Sequence, residues 1–292
     1  MTLVLFFFIW AGCSTSGKVT LDPFSRDFYE TARLIMSKME KDIFNHFPDQ
    51  ASREEFIADF WAKRDPDPET EENEFKEEFY RRIEYANQRF KEGPPGWKTD
   101  RGRIYIYLGP PDRFEEHPML NLPNMKGVLI WIYYNEAAFR FIDERGDGRY
   151  MLDPYSGIYG DFFGAIEKAQ FGLITQGDDF GLGFVDFDVE FDTEKKEIVV
   201  SLSPKNLIFK EEEGLFKADF EFTFYVYDKL HQNNDKFQET RHFEMPEEDV
   251  LELEKLVFIF PYELPPGNYY IDVTIIGKPD ISKTRKIFKI KA

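Results

Sequence analysis

Hydrophobic residues in the first third of the chain recur with the period of an α-helix. In the segment 24–47, one helical face carries Phe28, Ala32, Ile35 and Met39. A second stripe runs through the segment 69–91 in steps of four, four, three and four, and its members are Phe75, Phe79, Ile83, Ala86 and Phe90. Between these segments, Ser52 followed by Glu55 has the spacing of a capping box. The pattern predicts three helices before residue 92.

The hydrophobic period changes to two after residue 102. In RIYIYLG, residues 103–109, isoleucine and leucine alternate with tyrosine, which predicts a strand. The segments 128–134 and 138–152 predict two more strands, the last turning at Gly146–Gly148. Strands joined in order by short connections favour an antiparallel meander. We therefore expect an α+β domain over residues 24–175, including a short helix at 159–170.

The chain from residue 184 onward alternates as strands throughout. A Gly/Asp-rich stretch at 176–183 predicts a linker, and the seven candidate strands that follow have turn signals between them. Those strands are 184–192, 197–204, 215–228, 236–245, 255–264, 267–277 and 283–292. Seven short strands in about 110 residues are typical of an all-β sandwich of the immunoglobulin-like type. Residues 184–292 are thus expected to form a second domain.

The first residues carry an apolar run from Leu3 to Ala11, followed by Gly12 and Cys13. The run is too short to span a bilayer, which takes about 20 residues, but has the length of a signal-peptide core. Its end resembles a bacterial lipoprotein signal, in which small residues precede a cysteine that is lipidated. Trp10 and the lack of a basic residue before the run depart from that pattern. We expect a signal peptide at 1–12, lipidation of Cys13 and a tether at 13–23; the alternative is a buried segment with an incidental cysteine.

Charge and composition narrow the function classes. The chain has 37 basic and 55 acidic residues, a net charge of −18 that repels phosphate backbones, so nucleic-acid binding is not expected. Its one cysteine precludes an internal disulfide, and its four histidines lack ligand spacing. We expect no metal site and no cofactor. Four carboxylates share one face of the first sandwich strand, and we interpret them as solvated, with pairing to a neighbouring lysine or a cation as alternatives: Asp186, Asp188, Glu190 and Asp192.

Three segments together resemble one protein family. These are FWAKRDPDPET at 60–70, NEFKEEFYRRIEYANQRF at 73–90 and GWKTDRGRIYIYLGPPD at 96–112. They resemble the GWxTD-domain family, a group of bacterial envelope-associated proteins, over about residues 50 to 155. The resemblance implies a shared fold in the first domain and a location in the cell envelope, but it implies no reaction.

The GWKTD stretch has two competing interpretations. In the first it is a structural corner, with residues 99–102 in a type I turn and Trp97 as a lid over the helix–sheet junction. In the second it belongs to an exposed binding edge, whose candidate residues are Arg64, Asp65, Trp97, Thr99, Asp100, Arg101 and Asp112. No nucleophile–base pair or phosphate-binding loop is evident, so we assign no catalytic residue.

These features predict a lipid-anchored, non-catalytic binding or assembly module with an envelope protein as its partner, on the periplasmic face of the outer membrane. One alternative is an enzyme that acts on a cell-wall or surface polymer at the edge near Asp100 and Arg101. Another is a carbohydrate-binding module with an aromatic sandwich face, formed by Phe220, Phe222, Phe224, Tyr225 and Tyr227.

Overall fold

The computed structural model describes residues 21–68, 70–117, 125–133, 137–153, 187–204, 207–229, 234–279 and 282–292. The predicted signal peptide with Cys13, the helix expected at 159–170 and the linker expected at 176–183 all lie outside the described residues.

Helices fill the first part of the described chain. They are α1 (Pro23–Ala32), α2 (Lys38–His46), α3 (Gln50–Ala62), α4 (Glu74–Arg89) and α5 (Asp100–Leu108), with a short 3₁₀ turn at Gly96–Lys98. The predicted helix at 24–47 is two helices, because Ser37 and Glu40 form a capping box that starts α2. The capping box predicted at Ser52 is wrong. Asp49 caps α3 by accepting the N–H of Ser52, so the helix starts earlier.

The hydrophobic stripe of α4 is confirmed, since all five of its members are buried. The strand predicted at 103–109 is wrong, because these residues belong to α5. Ile104, Tyr105, Ile106 and Tyr107 are all buried, so this stretch has no exposed face, although Arg103 before it is exposed. Four consecutive buried residues show no 3.6-residue alternation of apolar and polar positions, and the pattern then does not distinguish a helix from a strand.

A four-stranded antiparallel sheet follows the helices. Its strands are β1 (Arg113–His117), β2 (Gly127–Tyr133), β3 (Ala137–Asp143) and β4 (Met151–Leu152), in that spatial order. The predicted meander is thus present, with 113–117 rather than 103–109 as its first strand. The predicted turn at Gly146–Gly148 is also confirmed. The Asp143 carboxylate accepts the backbone N–H groups of both glycines, which have positive φ.

Residues 187–292 form antiparallel sheets. Their elements are β5 (Phe187–Asp192), β6 (Glu197–Leu202), β7 (Lys210–Glu212), β8 (Leu215–Asp228), β9 (Asn234–Pro246), α6 (Glu247–Glu252), β10 (Leu256–Pro261), β11 (Asn268–Lys278) and β12 (Ser282–Lys291). All seven predicted strands are present, whereas β7 and α6 were not predicted. One sheet has the order β10-β6-β5; in the other, β8 pairs with β7, β9 and β11, and β11 with β12. Alternate side chains of both sheets form one hydrophobic core.

The proposed aromatic binding face is not on the surface. Phe220, Phe222 and Phe224 lie in the core between the two sheets. Tyr225 and Tyr227 point the other way and are buried against the helices. The carbohydrate-binding hypothesis for these five residues is therefore wrong. The physical reason is that β8 is covered on both faces, so neither of its aromatic rows is exposed.

Helices α2 and α3 pack on the outer face of β8, β11 and β12, and we call this contact the domain seam. A network of five buried charged side chains crosses it: Glu40, Lys63, Arg64, Asp272 and Arg285. Arg285 Nη2 donates to Glu40 Oε1 at 2.8 Å and to Asp272 Oδ2 at 2.6 Å. Lys63 Nζ lies 2.8 Å from Asp272 Oδ2, and Arg64 Nη2 lies 2.9 Å from Glu40. Each carboxylate thus holds one cation from the helices and Arg285 from β12.

In the seam network, burial and ion pairing shift the pKa values of the charged side chains in opposite directions. Burial alone would raise the pKa of Asp272, but the charges of Arg285 and Lys63 outweigh it and hold this pKa well below its ordinary value. Burial lowers the pKa of Lys63 to about 8. The Lys63 ammonium also lies 3.5 Å from the centre of the Tyr225 ring and donates to the Tyr227 hydroxyl. Removing one carboxylate would leave buried cations without their counter-charge.

Replacing Asp272 with Asn should destabilise the protein by about 3–5 kcal/mol, the range found when one partner of a buried ion pair is removed. Denaturant unfolding at neutral pH measures this. The exposed pair Lys196–Glu263 is the matched control, and Glu263→Gln should leave the unfolding midpoint almost unchanged. Equal effects of both substitutions would contradict a structural role for the seam network.

The same variant should change the response to acid. The folded pKa of Asp272 lies below its ordinary value of 3.8, so between the two values only the unfolded chain binds the proton. Stability supplied by Asp272 is therefore present above about pH 4 and is lost as the pH falls further. Unfolding curves between pH 3 and pH 7 should show a steeper acid loss for the natural protein than for Asp272→Asn, and parallel curves would count against this assignment.

Candidate functional site

The GWKTD residues form a tight corner between α4 and α5, and we call residues 96–102 with their contacts the motif corner. Its two glycines have no room for a side chain. A Cβ on Gly96 would lie 1.8 Å from the carbonyl oxygen of Ala86, and one on Gly102 would lie 2.0 Å from the carbonyl oxygen of Gly96. Both neighbours are backbone atoms, which cannot move aside without shifting a helix. Glycine is thus required for the close approach of the two helices.

Thr99 is the N-cap of α5. Its Oγ1 accepts the N–H of Gly102 at 3.0 Å and donates to the carbonyl oxygen of Gly96 at 2.7 Å. The type I turn predicted at 99–102 is therefore wrong, because these residues open a helix. A type I turn and a helix N-terminus both begin with a short polar side chain that accepts a nearby N–H. The local sequence therefore does not distinguish the turn from the helix.

Trp97 is buried in the core of the helical part. Its backbone N–H is 3.4 Å from Asn87 Oδ1 on α4. Lys98 lies over the indole ring, with Nζ 4.7 Å from the ring centre, and the same ammonium is 3.8 Å from Glu30 on α1. The side chain thus contributes to the packing of the helices, which supports the structural interpretation of the motif.

Asp100 joins the motif corner to the edge of the first sheet. Its Oδ2 accepts the backbone N–H of Leu152 in β4 at 2.8 Å, and its Oδ1 is bonded to Arg103. It also lies in the first turn of α5, where a negative charge is favoured by the helix dipole. Both oxygens of this carboxylate therefore accept hydrogen bonds from within the chain.

Arg101 has a similar role on the neighbouring side. Its Nε donates to Glu92 Oε1 at 2.6 Å, and its guanidinium lies 4.6 Å from the centre of the Tyr150 ring. Glu92 is buried, accepts the backbone N–H of Tyr150 at 3.2 Å, and has its pKa raised by that burial. Together these contacts hold the chain before β4 against the end of α4.

The other three candidates for the binding edge are separate from the motif corner. Arg64 is entirely buried in the domain seam, so it cannot contribute to an exposed edge. Asp65 lies beside it, and its backbone carbonyl accepts a hydrogen bond from Lys283 Nζ at 2.8 Å. Asp112 is exposed just before β1. The predicted edge is therefore not one surface, because Arg64 and Asp65 follow α3 into the seam.

A small recess opens at the rim of the domain seam. It is lined by Ile43, His46, Phe47, Tyr227, Asp228, Lys229 and Tyr270. Beside it, Asp42 Oδ2 accepts from Lys229 Nζ at 2.6 Å and from the Tyr270 hydroxyl at 2.5 Å. Although burial raises the pKa of Asp42, these hydrogen bonds outweigh it and lower this pKa overall. The carboxylate is thus held ionised and is poorly suited to be a base.

The sequence patterns did not identify the seam network or the group around Asp42. One usable signal was Asp272, a single carboxylate within the apolar run YYIDVTII of β11. Another was Lys63-Arg64, which lies one residue after the core residues Phe60 and Trp61. In the part of the chain that the structure describes, no group of three or more His, Cys, Asp or Glu is placed to hold a metal ion.

Gly102→Ala should lower the free energy of unfolding by at least the upper end of the about 1–3 kcal/mol that overpacking usually costs. Trp97→Ala should lower it by about 3–5 kcal/mol, as expected for an aromatic removed from a core. Gly267→Ala is the control, since its Cβ would meet the movable ring of Tyr269 at 3.2 Å. Thermal and denaturant unfolding measure all three. A Trp97→Ala protein of normal stability would refute the structural interpretation and favour a binding role.

Comparison with solved structures finds partial likenesses. A family 76 glycoside hydrolase from a bovine Bacteroides thetaiotaomicron strain is 14% identical, with a TM-score of 0.22, over 37% of this chain and 20% of that one. Bacteroides uniformis β-glucuronidase 2 is 12% identical, with a TM-score of 0.18, over 37% of this chain and 12% of that one. The chicken interferon gamma receptor alpha chain is 12% identical, with a TM-score of 0.23, over 62% of this chain and 97% of that one.

The matched region spans a fifth or less of the two bacterial enzymes, and none of these likenesses indicates a function. No curated protein matches the sequence. The family model of the GWxTD domain matches residues 25–159, which include most of α1, all of α2 to α5, the motif corner and the four-stranded sheet. The chain therefore contains a GWxTD domain over these residues.

Proposed function

We propose that this protein is a lipid-anchored, non-catalytic binding or assembly module of the cell envelope. The observation that supports this most directly is the domain seam. Two buried carboxylates and three buried cations connect α2 and α3 to β11 and β12. Such a network tolerates little sliding, because any shift separates a buried charge from its partner. The two halves thus form one stiff body, as a protein that holds partners at fixed spacing requires.

We also propose that residues 187–292 form an immunoglobulin-like sandwich. The support is the strand order: β5, β6 and β10 lie in one sheet, while β8, β9, β11 and β12 lie in the other. Sandwiches of that type also divide their strands in this alternating way along the chain. These domains commonly serve as recognition modules, but a fold alone does not establish a function.

The anchoring part of the proposal rests on the apolar run that ends at Gly12-Cys13 and on the polar stretch after it. A lipidated Cys13 would leave residues 13–23 as a tether between the membrane and α1. In the described part of the chain no helix is long and apolar enough to cross a membrane. We place the protein on the periplasmic face of the outer membrane, with an envelope protein as its partner.

An enzyme acting on a cell-wall or surface polymer is the less supported alternative. Its proposed site residues, Asp100 and Arg101, contact Leu152 and Glu92 and so have roles within the fold.

Cys13→Ser should move the protein from the membrane fraction to the soluble fraction or leave it unprocessed. The reason is that lipidation supplies the membrane affinity and requires the thiol. Metabolic labelling with a palmitate analogue, followed by detergent partitioning, measures both steps. A variant such as Ser14→Ala, next to the cysteine, should keep label and location. An unlabelled natural protein, or a Cys13→Ser protein that stays in the membrane, would refute the anchor.

A further inference from the structure

The outer face of the β10-β6-β5 sheet combines an apolar column with an acidic one. Every second residue of the three strands points into the core, and the others form this face. The register aligns them in three rows across the sheet, which are Val257–Ser201–Asp188, Ile259–Val199–Glu190 and Pro261–Glu197–Asp192. We call these nine residues the outer sheet face.

The apolar column lies on β10. Val257 is 51% exposed and Ile259 is 47% exposed, and Pro261 next to them is exposed as well. Val199 in the middle of the face is half-buried and continues the apolar surface inward. The outward row of an antiparallel sheet is normally polar. An exposed apolar row at this position makes the face a candidate contact surface, because exposed apolar patches mark interaction sites.

The acidic column lies on β5, at the opposite side of the same face. Asp188 and Glu190 are exposed, and neither side chain has a hydrogen bond or an ion pair with any residue of the described ranges. Their row neighbours on β6 are Ser201 and Val199, so the pairing with lysine on the next strand, considered as an alternative above, does not form here. Asp192 is different, since it accepts the N–H groups of Glu194 and Lys195 in the β5–β6 turn. Like charges at about 7 Å repel, and a cationic partner would relieve this repulsion.

We propose that the outer sheet face docks an amphipathic helix of another protein, one with an apolar stripe flanked on one side by Lys or Arg. This rests on the proposed function and specifies the partner. The apolar and acidic columns lie two strand spacings apart, about 10 Å, which matches the diameter of an α-helix. A helix lying along the strands would place its stripe on Val257 and Ile259 and its cations beside Asp188 and Glu190. Charge complementarity of this kind selects the partner and its orientation.

The edge of β10 favours docking on the face over addition of a strand. Arg241 of β9 donates to the carbonyl oxygen of Ile259 at 3.4 Å, and its guanidinium lies 4.7 Å from the centre of the Phe260 ring. This side chain occupies the edge of β10 where a new strand would have to bond. The acidic column also repels anionic lipid headgroups, and the net charge of −18 opposes a second copy of the chain.

Site-specific photo-crosslinking of the full-length protein in its native envelope tests the proposal. p-Benzoylphenylalanine replaces Ile259 in one variant and the exposed Asp27 of α1 in the control. We expect adducts from position 259 at least fivefold above those from position 27. Sequencing of the adducts by mass spectrometry should locate them in a segment with apolar residues at helical spacing and Lys or Arg along one flank. Adducts with phospholipid, with a second copy of the chain or with an acidic or uncharged segment would overturn the proposal, as would no excess over position 27.

Charge reversal checks the orientation of the partner. Asp188→Lys combined with Glu190→Lys should reduce the adduct from position 259 at least tenfold, whereas Asp27→Lys combined with Glu84→Lys, the same change in net charge, should leave it unaltered. All four side chains are exposed, so the melting temperature should stay within a few degrees in both cases, and this is measured first. Equal loss in both double variants would show a general charge effect and contradict a specific contact.

The result also separates this inference from the proposed function. If a general lysine crosslinker captures an envelope partner while position 259 gives no excess adduct, the binding module stands and the outer sheet face is not its contact. If neither method captures a partner, the proposed function fails as well.

Discussion

The structure depends on two buried carboxylates, Glu40 and Asp272, that neutralise three cations at the domain seam. Each carboxylate is shared between a cation of the helical part and Arg285 of β12. Without the other half, each half would therefore have buried charges that lack a counter-charge. The energy of such a network depends strongly on geometry, since desolvation is fully compensated only at short distance. The seam therefore defines the relative position of the two halves more narrowly than an apolar interface of the same size would.

The motif corner also depends on a few close contacts between elements, over a smaller part of the chain. Gly96 and Gly102 let backbone approach backbone, and Thr99 accepts the N–H of Gly102, which has no partner within the helix. Asp100 and Arg101 then extend the corner to β4 and to Glu92. The residues that name the family thus have roles in joining α4, α5 and the first sheet. On this interpretation, binding takes place at other surfaces, whose positions the motif corner and the domain seam determine.

The local sequence pattern does not tell which charged positions become buried when the chain folds. Arg64 and Asp272 are within or beside apolar stretches and turn out to be buried partners of one network. Asp188 and Glu190 alternate with core residues and remain exposed. In the seam network, each buried charge is met by an opposite charge from another helix or strand. Strand or helix periodicity indicates a face, but it does not indicate what covers that face.

The sequence by itself determined the elements whose faces differ in polarity. The stripe of α4 and a strand such as β5 are visible in it, because one side meets a core and the other meets water. The glycine turn after Asp143 is visible because glycine accommodates a positive φ. Tertiary structure alone decided the rest. It made 103–108 a helix, since the four consecutive buried residues 104–107 show no helical period of apolar and polar positions. It also brought Glu40 to Arg285, 245 residues away, because such pairings depend on the packing of whole elements rather than on local pattern.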